Sequence, residues 1–258
     1  DDARGRQQSQ SLERVVVKGD AARRGAYALR RSSSATRTDT PLIDVPQSVT
    51  VVGASLMADQ SIQSMADVVR YVPGVTMGLG EGHRDAPTIR GQASTADFYV
   101  DGVRDDAQYL RDVYNVERVE ALKGPNAMTF GRGGGGGVIN RASKEAQWTP
   151  RRSLTLEGGS FDHKRMAVDV GDGVGGAIAL RLNAVREDSR QFRDASDLER
   201  TGINPTMTLL AGQTMVRLGY EYFSDRRTVD RGIPSFAGAP SSADIRTFFG
   251  DPSISRSR

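Results

Sequence analysis

After Trp148, hydrophobic and polar residues alternate with a period of two along much of the chain. Leu154 and Leu156 have polar neighbours on both sides, and Met166 and Val168 repeat the pattern. The alternation covers five stretches, at residues 153–157, 165–170, 178–184, 207–209 and 216–222. Because successive side chains of a β-strand point to opposite faces, each stretch predicts a strand with one apolar and one polar face.

The connections between these predicted strands fall into two length classes. Residues 171–176 and 211–213 are short turns, whereas residues 188–201 and the region from 225 onward are longer and polar. Short turns that alternate with long loops are typical of transmembrane β-barrels. A soluble antiparallel sheet would also have an apolar face, but it would have no reason to separate its connections by length. The pattern therefore favours a membrane barrel and leaves the soluble sheet as the alternative.

Residues 41–148 show a different mixture of short strand and helix signals. The β-branched run Val49–Val52 predicts a strand, and Ser64 is suited to cap a helix over residues 65–71 that Pro73 and Gly74 end. Further elements are predicted as a hairpin over residues 98–103, turning at Asp101 and Gly102, and as a strand over residues 116–123. The fold class predicted here is an α+β domain of about a hundred residues, with a small mixed sheet and short helices.

Four segments follow one another in a fixed order between Ala86 and Lys144. They read PTIRG, FYVDGVRDD, VERVEALKGPNAMTFGRGGGGGVIN and RASK. Their order resembles the plug domain of TonB-dependent outer-membrane receptors, in the branch that imports ferric siderophores of the catecholate type. The resemblance implies a plug over residues 41–148 and the first strands and loops of a transmembrane β-barrel over residues 149–258. Barrels of this family have 22 strands around a plugged lumen, so five predicted strands are expected to be an incomplete barrel.

The segment 1–40 is rich in Arg, Ser, Gln and Asp, which predicts a flexible N-terminal region. One apolar run interrupts it, and the resemblance places there, near residues 12–18, the Ton box that pairs with the energy-coupling protein TonB. Such pairing adds one strand to another through backbone hydrogen bonds. The residues expected to contact TonB are Glu13, Arg14, Val15, Val16 and Val17.

Composition excludes several kinds of chemistry. The 258 residues include no cysteine, which removes disulfides, zinc-thiolate sites and cysteine nucleophiles. The 35 basic and 32 acidic side chains nearly balance, so a nucleic-acid partner is not expected. No run of eighteen apolar residues occurs, which excludes a transmembrane helix.

No residue pattern indicates an enzyme. His83 and His163 are the only histidines, they lie in different predicted domains, and neither belongs to a metal or nucleophile motif. Gly131, Gly133 and Gly136 match the spacing of a dinucleotide-binding loop, but a β-branched strand follows them where a helix is required. We therefore expect no catalytic residue, no protein metal site and no cofactor, because iron would arrive as a siderophore complex.

A ferric catecholate is an anionic complex with aromatic rings, so its receptor is expected to offer arginine, aromatic and amide groups. By the resemblance, residues 77–87 and 104–114 and the loop 92–97 face the extracellular side. The ligand-binding candidates in these segments are His83, Arg84, Gln92, Arg104, Gln108, Tyr109, Arg111 and Tyr114. The alternative for each of them is a solvated loop residue.

Four further charged residues lie in strand-like sequence, namely Arg90, Glu117, Arg118 and Glu120. Arginine and glutamate almost never enter a protein interior without a partner. The resemblance implies that they form ion pairs between plug and barrel or within the plug. They are predicted either to latch the plug against the pull of TonB or to act as ordinary structural pairs.

Taken together, the sequence is interpreted as part of a transporter in the outer membrane of a Gram-negative bacterium. The resemblance implies that it binds a ferric siderophore, preferably a catecholate, on the outer face and releases it to the periplasm as the plug rearranges. Its expected partners are TonB, the ferric siderophore and outer-membrane lipid. The alternatives are a receptor for a hydroxamate siderophore, haem or cobalamin, and a surface receptor or soluble β-rich binding module.

Overall fold

The computed structural model describes residues 27–95, 97–124, 127–131 and 135–257. The predicted TonB contact at residues 13–17 and the glycine-run residues 132–134 lie outside these ranges. In the described part of the chain, no helix is both long enough and apolar enough to cross a bilayer.

The plug region, residues 31–148, is built from short strands and short helices. Its helical elements are a 3₁₀ turn (Leu42–Asp44), α1 (Ala54–Asp59), α2 (Met65–Val69) and α3 (Ala127–Phe130). Its strands are β1 (Arg31–Ser32), β2 (Thr40–Pro41), β3 (Ser48–Gly53), β4 (Val75–Gly80), β5 (Arg84–Ile89), β6 (Gln92–Ala93), β7 (Phe98–Val100), β8 (Val103–Arg104), β9 (Val116–Lys123) and β10 (Gly137–Ser143).

These strands form a mixed sheet in the order β3-β9-β10-β7-β8, in which only the β10–β7 pair is parallel. A second, antiparallel sheet has the order β4-β5-β6, and β1 pairs with β2. The predicted α+β domain with a small mixed sheet is therefore confirmed.

Local sequence explains the helix and the tight turn that position this core. The Ser64 side chain accepts a hydrogen bond from the Asp67 N–H at 3.3 Å, which caps α2, and the helix buries Met65 and Val68 against the mixed sheet. Asp101 and Gly102 have φ values of +50° and +79°, which suit a two-residue hairpin turn between β7 and β8.

The prediction of a flexible segment up to residue 40 is wrong at its C-terminal end. Strand β1 pairs with β2, so the predicted boundary at residues 40 and 41 cuts through a hairpin. Ser32, Ser34 and Ala35 are buried against the mixed sheet. Their side chains are small enough to lie in the interior, and the two serines hydrogen-bond the buried carboxylate of Glu120.

The barrel sheet, residues 151–257, consists mainly of long antiparallel strands. They are β11 (Arg151–Gly158), β12 (Lys164–Val174), β13 (Ile178–Arg190), β14 (Asp197–Ala211), β15 (Thr214–Gly219), β16 (Tyr222–Thr228) and β19 (Arg256–Ser257), with a small hairpin of β17 (Ser235–Phe236) and β18 (Ala239–Pro240). The sheet order is β11-β12-β13-β14-β16-β19, and β15 pairs with the second half of β14.

The connections are short at one edge, at residues 175–177 and 212–213, and longer at the other, at residues 159–163, 191–196 and 229–255. The predicted loop over residues 188–201 is too long. Strand β13 continues to Arg190 and β14 begins at Asp197. Charged residues such as Arg200 gave this stretch the appearance of a loop, but Arg200 is buried on the inner face, where Asp112 of the plug and Glu187 of β13 pair with it.

The two faces of the barrel sheet differ as the alternation predicts. Leu154, Leu156 and Leu180 lie on the outer face and are 61%, 69% and 45% exposed, while Arg181 and Asn183 on the inner face are buried against the plug. The outer face is therefore apolar and the inner face polar, which is the arrangement of a barrel wall in lipid.

Strands β15 and β16 pair one after the other with the same strand, β14, and Pro205 of β14 lies opposite the break between them. Thr206 pairs with Gly219 and Ile203 pairs with Tyr222, so the register does not change across the break. Pro205 has no N–H to donate, and the Asn204 Nδ2 donates to the Tyr220 carbonyl at 2.8 Å instead. A side-chain amide thus replaces the missing backbone hydrogen bond.

Candidate functional site

A cavity of about 510 Å³ opens between the plug and the barrel sheet. It adjoins the β4–β5 turn, which packs against Asp230 in the longest of the connections. The plug lines it with His83, Gln108, Tyr109 and Leu110, and the barrel sheet with Glu221, Tyr222, Phe223, Ser224, Asp225 and Ser257. The cavity is therefore lined by both aromatic residues and hydrogen-bonding groups.

The structure brings some predicted ligand residues together and separates others. His83, Gln108 and Tyr109 line the cavity, and the Arg84 guanidinium donates to the Gln108 side-chain carbonyl. Arg104 lies outside the lining, 3.8 Å from Asp106.

Gln92 lies away from this group. It belongs to β6, beyond the far end of β5 from Arg84, and Ile89 at that end is about 17 Å from Arg84 at the rise of a strand. Gln92 therefore does not share the cavity.

Tyr109 reaches the cavity from a fixed position. Its hydroxyl donates to the Asp105 carboxylate at 3.0 Å and accepts from the Arg141 guanidinium at 2.9 Å. Burial raises the pKa of the phenol above its ordinary value, although Arg141 opposes this effect. The ring is thus held as a neutral aromatic surface.

Arg111, predicted to face a ligand, is instead buried inside the plug and only 2% exposed. Its guanidinium donates to the carbonyls of Asp105, Ala107 and Tyr109 at 3.1, 2.7 and 3.2 Å and to the Asp105 carboxylate at 3.0 Å. It also lies 3.9 Å from the centre of the Phe98 ring. Arg111 closes the loop 105–110 on itself and leaves no donor directed at the cavity.

Tyr114, also predicted to face a ligand, joins the plug to the barrel sheet. Its hydroxyl donates to the Glu221 carboxylate at 3.1 Å, and its ring is nearly parallel to that of Phe223, with centres 6.3 Å apart. Burial, together with Glu221, raises the pKa of this phenol. The backbone of Gly202 leaves room for the ring.

Four charged residues of the barrel sheet form a charge row across its inner face, namely Arg165, Glu187, Arg200 and Asp225. Each is the direct cross-strand neighbour of the next. Successive members are joined by ion pairs of 2.7, 3.3 and 2.9 Å. Because positive and negative charges alternate along the row, each residue forms an ion pair with its cross-strand neighbour.

Asp112 of the plug binds this charge row. Arg165 donates to both of its carboxylate oxygens, at 2.8 and 2.9 Å, and Arg200 donates at 2.6 Å. Burial alone would raise the pKa of Asp112, but Arg200 and Arg165 outweigh it and hold the pKa below its ordinary value. The plug is therefore anchored to the barrel sheet by a buried, fully paired carboxylate.

A second ionic contact lies nearer the short-turn edge. Asp169 of the barrel sheet accepts two bonds of 2.7 Å from Arg181 and one of 3.2 Å from Lys144 of the plug. Glu117, one of the predicted latch residues, lies 3.7 Å from Arg181. Among the predicted latch residues, Glu117 is therefore the one that forms an ion pair with the barrel sheet in the described part of the chain.

The other predicted latch residues have their contacts within the plug. Arg118 donates to Glu120 at 2.6 Å and to Ser33 at 2.7 Å, and Glu120 is completely buried beneath the β1–β2 hairpin. Arg90 is exposed and lies in the β5–β6 turn with a φ of +49°. Arg118 and Glu120 therefore tie the N-terminal hairpin to β9.

Sequence reasoning missed Asp112, the charge row and the aromatic residues Tyr222 and Phe223. Part of the signal for the charge row was present, because Arg165 occupies a polar position of the period-two pattern, whereas Glu187 and Arg200 lie outside the predicted strands. Their partners become visible only when the strand register is known. Among the described residues, no cluster of three His, Cys, Asp or Glu side chains is arranged to hold a metal ion.

This architecture, an α+β domain docked on the inner face of long antiparallel strands, is that of a plug domain and part of the β-barrel wall around it. Residues 41–138 match the model of the TonB-dependent receptor plug domain. The chain belongs to the TonB-dependent receptors.

Three relatives are similar over most of the chain. The probable TonB-dependent receptor BfrD of Bordetella pertussis is 37% identical over 235 residues, which are 85% of this chain and 31% of BfrD. The probable TonB-dependent siderophore receptor PiuA of Acinetobacter baumannii is 32% identical over 81% of this chain and 30% of its own length. The catecholate siderophore receptor Fiu of Escherichia coli K12 is 30% identical over 88% of this chain and 30% of its own length.

Two of these relatives have solved structures with the same fold. The PiuA crystal structure superposes with a TM-score of 0.79 over 86% of this chain and 34% of the PiuA chain, at 30% identity. The open form of Fiu gives 0.74 over 81% of this chain and 31% of the Fiu chain, at 31% identity. The chain thus spans about a third of the length of these receptors. TonB-dependent receptors are outer-membrane proteins of Gram-negative bacteria.

Proposed function

We propose that the chain is the plug and the first barrel strands of an outer-membrane transporter that imports a ferric siderophore, with catecholate complexes as the preferred class. The observation that carries this proposal is the cavity shared by the plug and the barrel sheet. The rings of Tyr109 and Phe223 can stack on catechol rings, and the side-chain N–H of Gln108, which lines the cavity with His83, can donate a hydrogen bond to an anionic complex. Fiu is a catecholate siderophore receptor, which supports the catecholate class, and PiuA is a probable siderophore receptor, which supports the wider siderophore class.

Transport in this proposal depends on movement of the plug. TonB would act on the N-terminal segment, for which residues 13–17 are the predicted contact, and the plug would rearrange to release the ligand into the periplasm. Support comes from the plug domain itself, which the chain shares with receptors that depend on TonB. The apolar outer face of the barrel sheet supports contact with outer-membrane lipid.

The test is a titration of the purified full-length receptor with a ferric catecholate, a ferric hydroxamate, haem and cobalamin. We expect the ferric catecholate to bind most tightly. Tighter binding of one of the other three would replace the ligand class, and no binding of any ferric siderophore would overturn the proposed function.

Two variants test the cavity itself. Tyr109→Ala is expected to weaken binding of the ferric catecholate about fivefold, since a stacked ring contributes roughly 1 kcal/mol. Gln92→Ala is the control, because residue 92 lies beyond the far end of β5. A loss with Gln92→Ala and none with Tyr109→Ala would place the ligand elsewhere.

A further inference from the structure

We propose that Asp112 is a positioning residue for ligand binding, because it holds the loop 105–110 at a fixed position relative to the barrel sheet. The ligand in this inference is that of the proposed function. The link between the loop 105–110 and the barrel sheet rests on geometry alone. Arg111 and Asp112 are adjacent, and their side chains make opposite kinds of contact. Arg111 binds the plug loop, whereas Asp112 binds the charge row.

The first half of the link is the closed loop 105–110. Arg111 binds three of its carbonyls and the Asp105 carboxylate, so the loop moves as a unit with residue 111. Tyr109 belongs to this unit and is held further by Arg141. The cavity residues Gln108 and Tyr109 therefore have the same support.

The second half is the backbone around Asp112, which has little slack. The Arg111 N–H donates to the Asp85 carboxylate at 2.9 Å, and the Arg111 carbonyl accepts from the Met65 N–H at 3.3 Å. The Tyr114 N–H donates to Asp112 Oδ1 at 2.8 Å. A displacement of the loop is therefore transmitted to the Asp112 ion pairs and is not absorbed by the chain.

The charge row leads back to the cavity on the barrel side. Arg200, which binds Asp112, also donates to Asp225 at 2.9 Å, and Asp225 lines the cavity with Tyr222 and Phe223. The two walls of the cavity are thus joined through Asp112. A ligand that touches both walls requires a particular spacing between them.

The experiment compares Asp112→Asn with Asp169→Asn in the full-length receptor. Both replace a barrel–plug carboxylate by its isosteric amide, but Asp169 binds Lys144 and Arg181 and has no bond to the loop 105–110. The measurements are the Kd of the iron(III) tris-catecholate complex, hydrogen exchange of amides 105–110 without ligand, and the urea concentration that releases the plug.

For Asp112→Asn we expect a Kd weakened about tenfold and faster exchange at residues 105–110, at urea concentrations where the plug is retained. For Asp169→Asn we expect both values within about twofold of the wild type, a change below roughly 0.5 kcal/mol. The proposal is overturned if Asp112→Asn leaves the Kd and the exchange unchanged. It is equally overturned if both variants weaken binding alike, since that would mean general loosening of the plug.

A second variant and a second measurement allow the proposal to be tested even if the first experiment fails. If Asp112→Asn does not assemble, Arg165→Gln gives the same measurements under a milder loss, because Arg200 still binds Asp112. If the wild-type receptor does not bind the tris-catecholate, the proposed catecholate class fails, and hydrogen exchange alone then decides whether Asp112 positions the loop.

Discussion

The ring of Tyr114 lies against the backbone of Gly202 so closely that a Cβ at residue 202 would be 2.7 Å from Tyr114 Cζ. Gly202 is in ordinary strand conformation within β14, so it is the space taken by the ring that favours glycine here. Tyr114 is thus inserted into a gap in the barrel wall that one missing side chain provides.

Gly202→Ala is expected to destabilise the docked plug by about 1–3 kcal/mol, the usual cost of overpacking. The measurement is the urea concentration at which the plug of the folded receptor becomes accessible to trypsin. Gly219→Ala is the matched control, because its added Cβ would meet Thr206 Cγ2 at an ordinary 3.6 Å. Equal midpoints for the two variants would contradict the fit described here.

Asp85 and Asp112 are expected to respond to pH in opposite directions. Burial raises the pKa of Asp85 more than Arg111 lowers it, so the native plug binds a proton that the unfolded chain releases. Asp85 therefore opposes folding at neutral pH, and this cost disappears as the pH falls through its raised pKa. The pKa of Asp112 is lowered, so its contribution is complete above its unfolded pKa of about 3.9 and is lost as the pH falls below that value.

The check is the urea midpoint of plug release, measured as a function of pH. Asp85→Asn should stabilise the plug at pH 7 and lose this advantage towards acid pH, whereas Asp112→Asn should destabilise it at pH 7. Destabilisation by Asp85→Asn at pH 7 would show that the Arg111 contacts outweigh the cost of burying the Asp85 carboxylate.

The amide of Asn204 is expected to matter only because Pro205 follows it. Asn204→Ala removes the donor to the Tyr220 carbonyl and should cost about 1–3 kcal/mol, as for a polar group left without its partner. In a Pro205→Ala background a backbone N–H becomes available, and the same change should cost much less. A double-mutant cycle on folding of the receptor measures this difference, and additive effects would contradict the replacement.

The hydroxyl of Ser32 is expected to hold the N-terminal hairpin on the plug. Ser32→Ala removes a donor to the fully buried Glu120 carboxylate, which should cost about 1.5–3 kcal/mol and speed hydrogen exchange of residues 31–41. Ser33→Ala is the control, since Ser33 is exposed and only accepts from Arg118. Similar exchange rates in both variants would show that Glu120 does not retain the hairpin.

Much of the fold is predictable because its signals are local. The cap at Ser64, the turn at Asp101 and Gly102 and the bounds of β9 follow from residues adjacent in sequence. The period-two pattern likewise identifies the outer and inner faces of the barrel sheet. The length of the connection around residues 191–196 was not predictable, since charged residues on an inner face look like loop residues until a docked domain is considered.

The candidate site is less predictable, because its residues are brought together by tertiary packing. Arg111 and Asp112 are neighbours of opposite charge in a polar stretch, and nothing local shows that one is directed into the plug and the other to the barrel. Phe223 directly follows Tyr222, an aromatic residue on the outer face that pairs with the exposed Ile203. Only the register that pairs Gly202 with Phe223 places that ring on the inner side.

The charge row also determines the net charge that the inner face of the barrel sheet would present to ions after removal of the plug. Arg227 donates to Asp225 at 2.6 Å, so with Arg165 and Arg200 three guanidinium groups face the two carboxylates of Glu187 and Asp225 in this cluster. Asp112 supplies the third negative charge. Without the plug, this patch of the barrel sheet would therefore carry a net positive charge and would attract anions over cations.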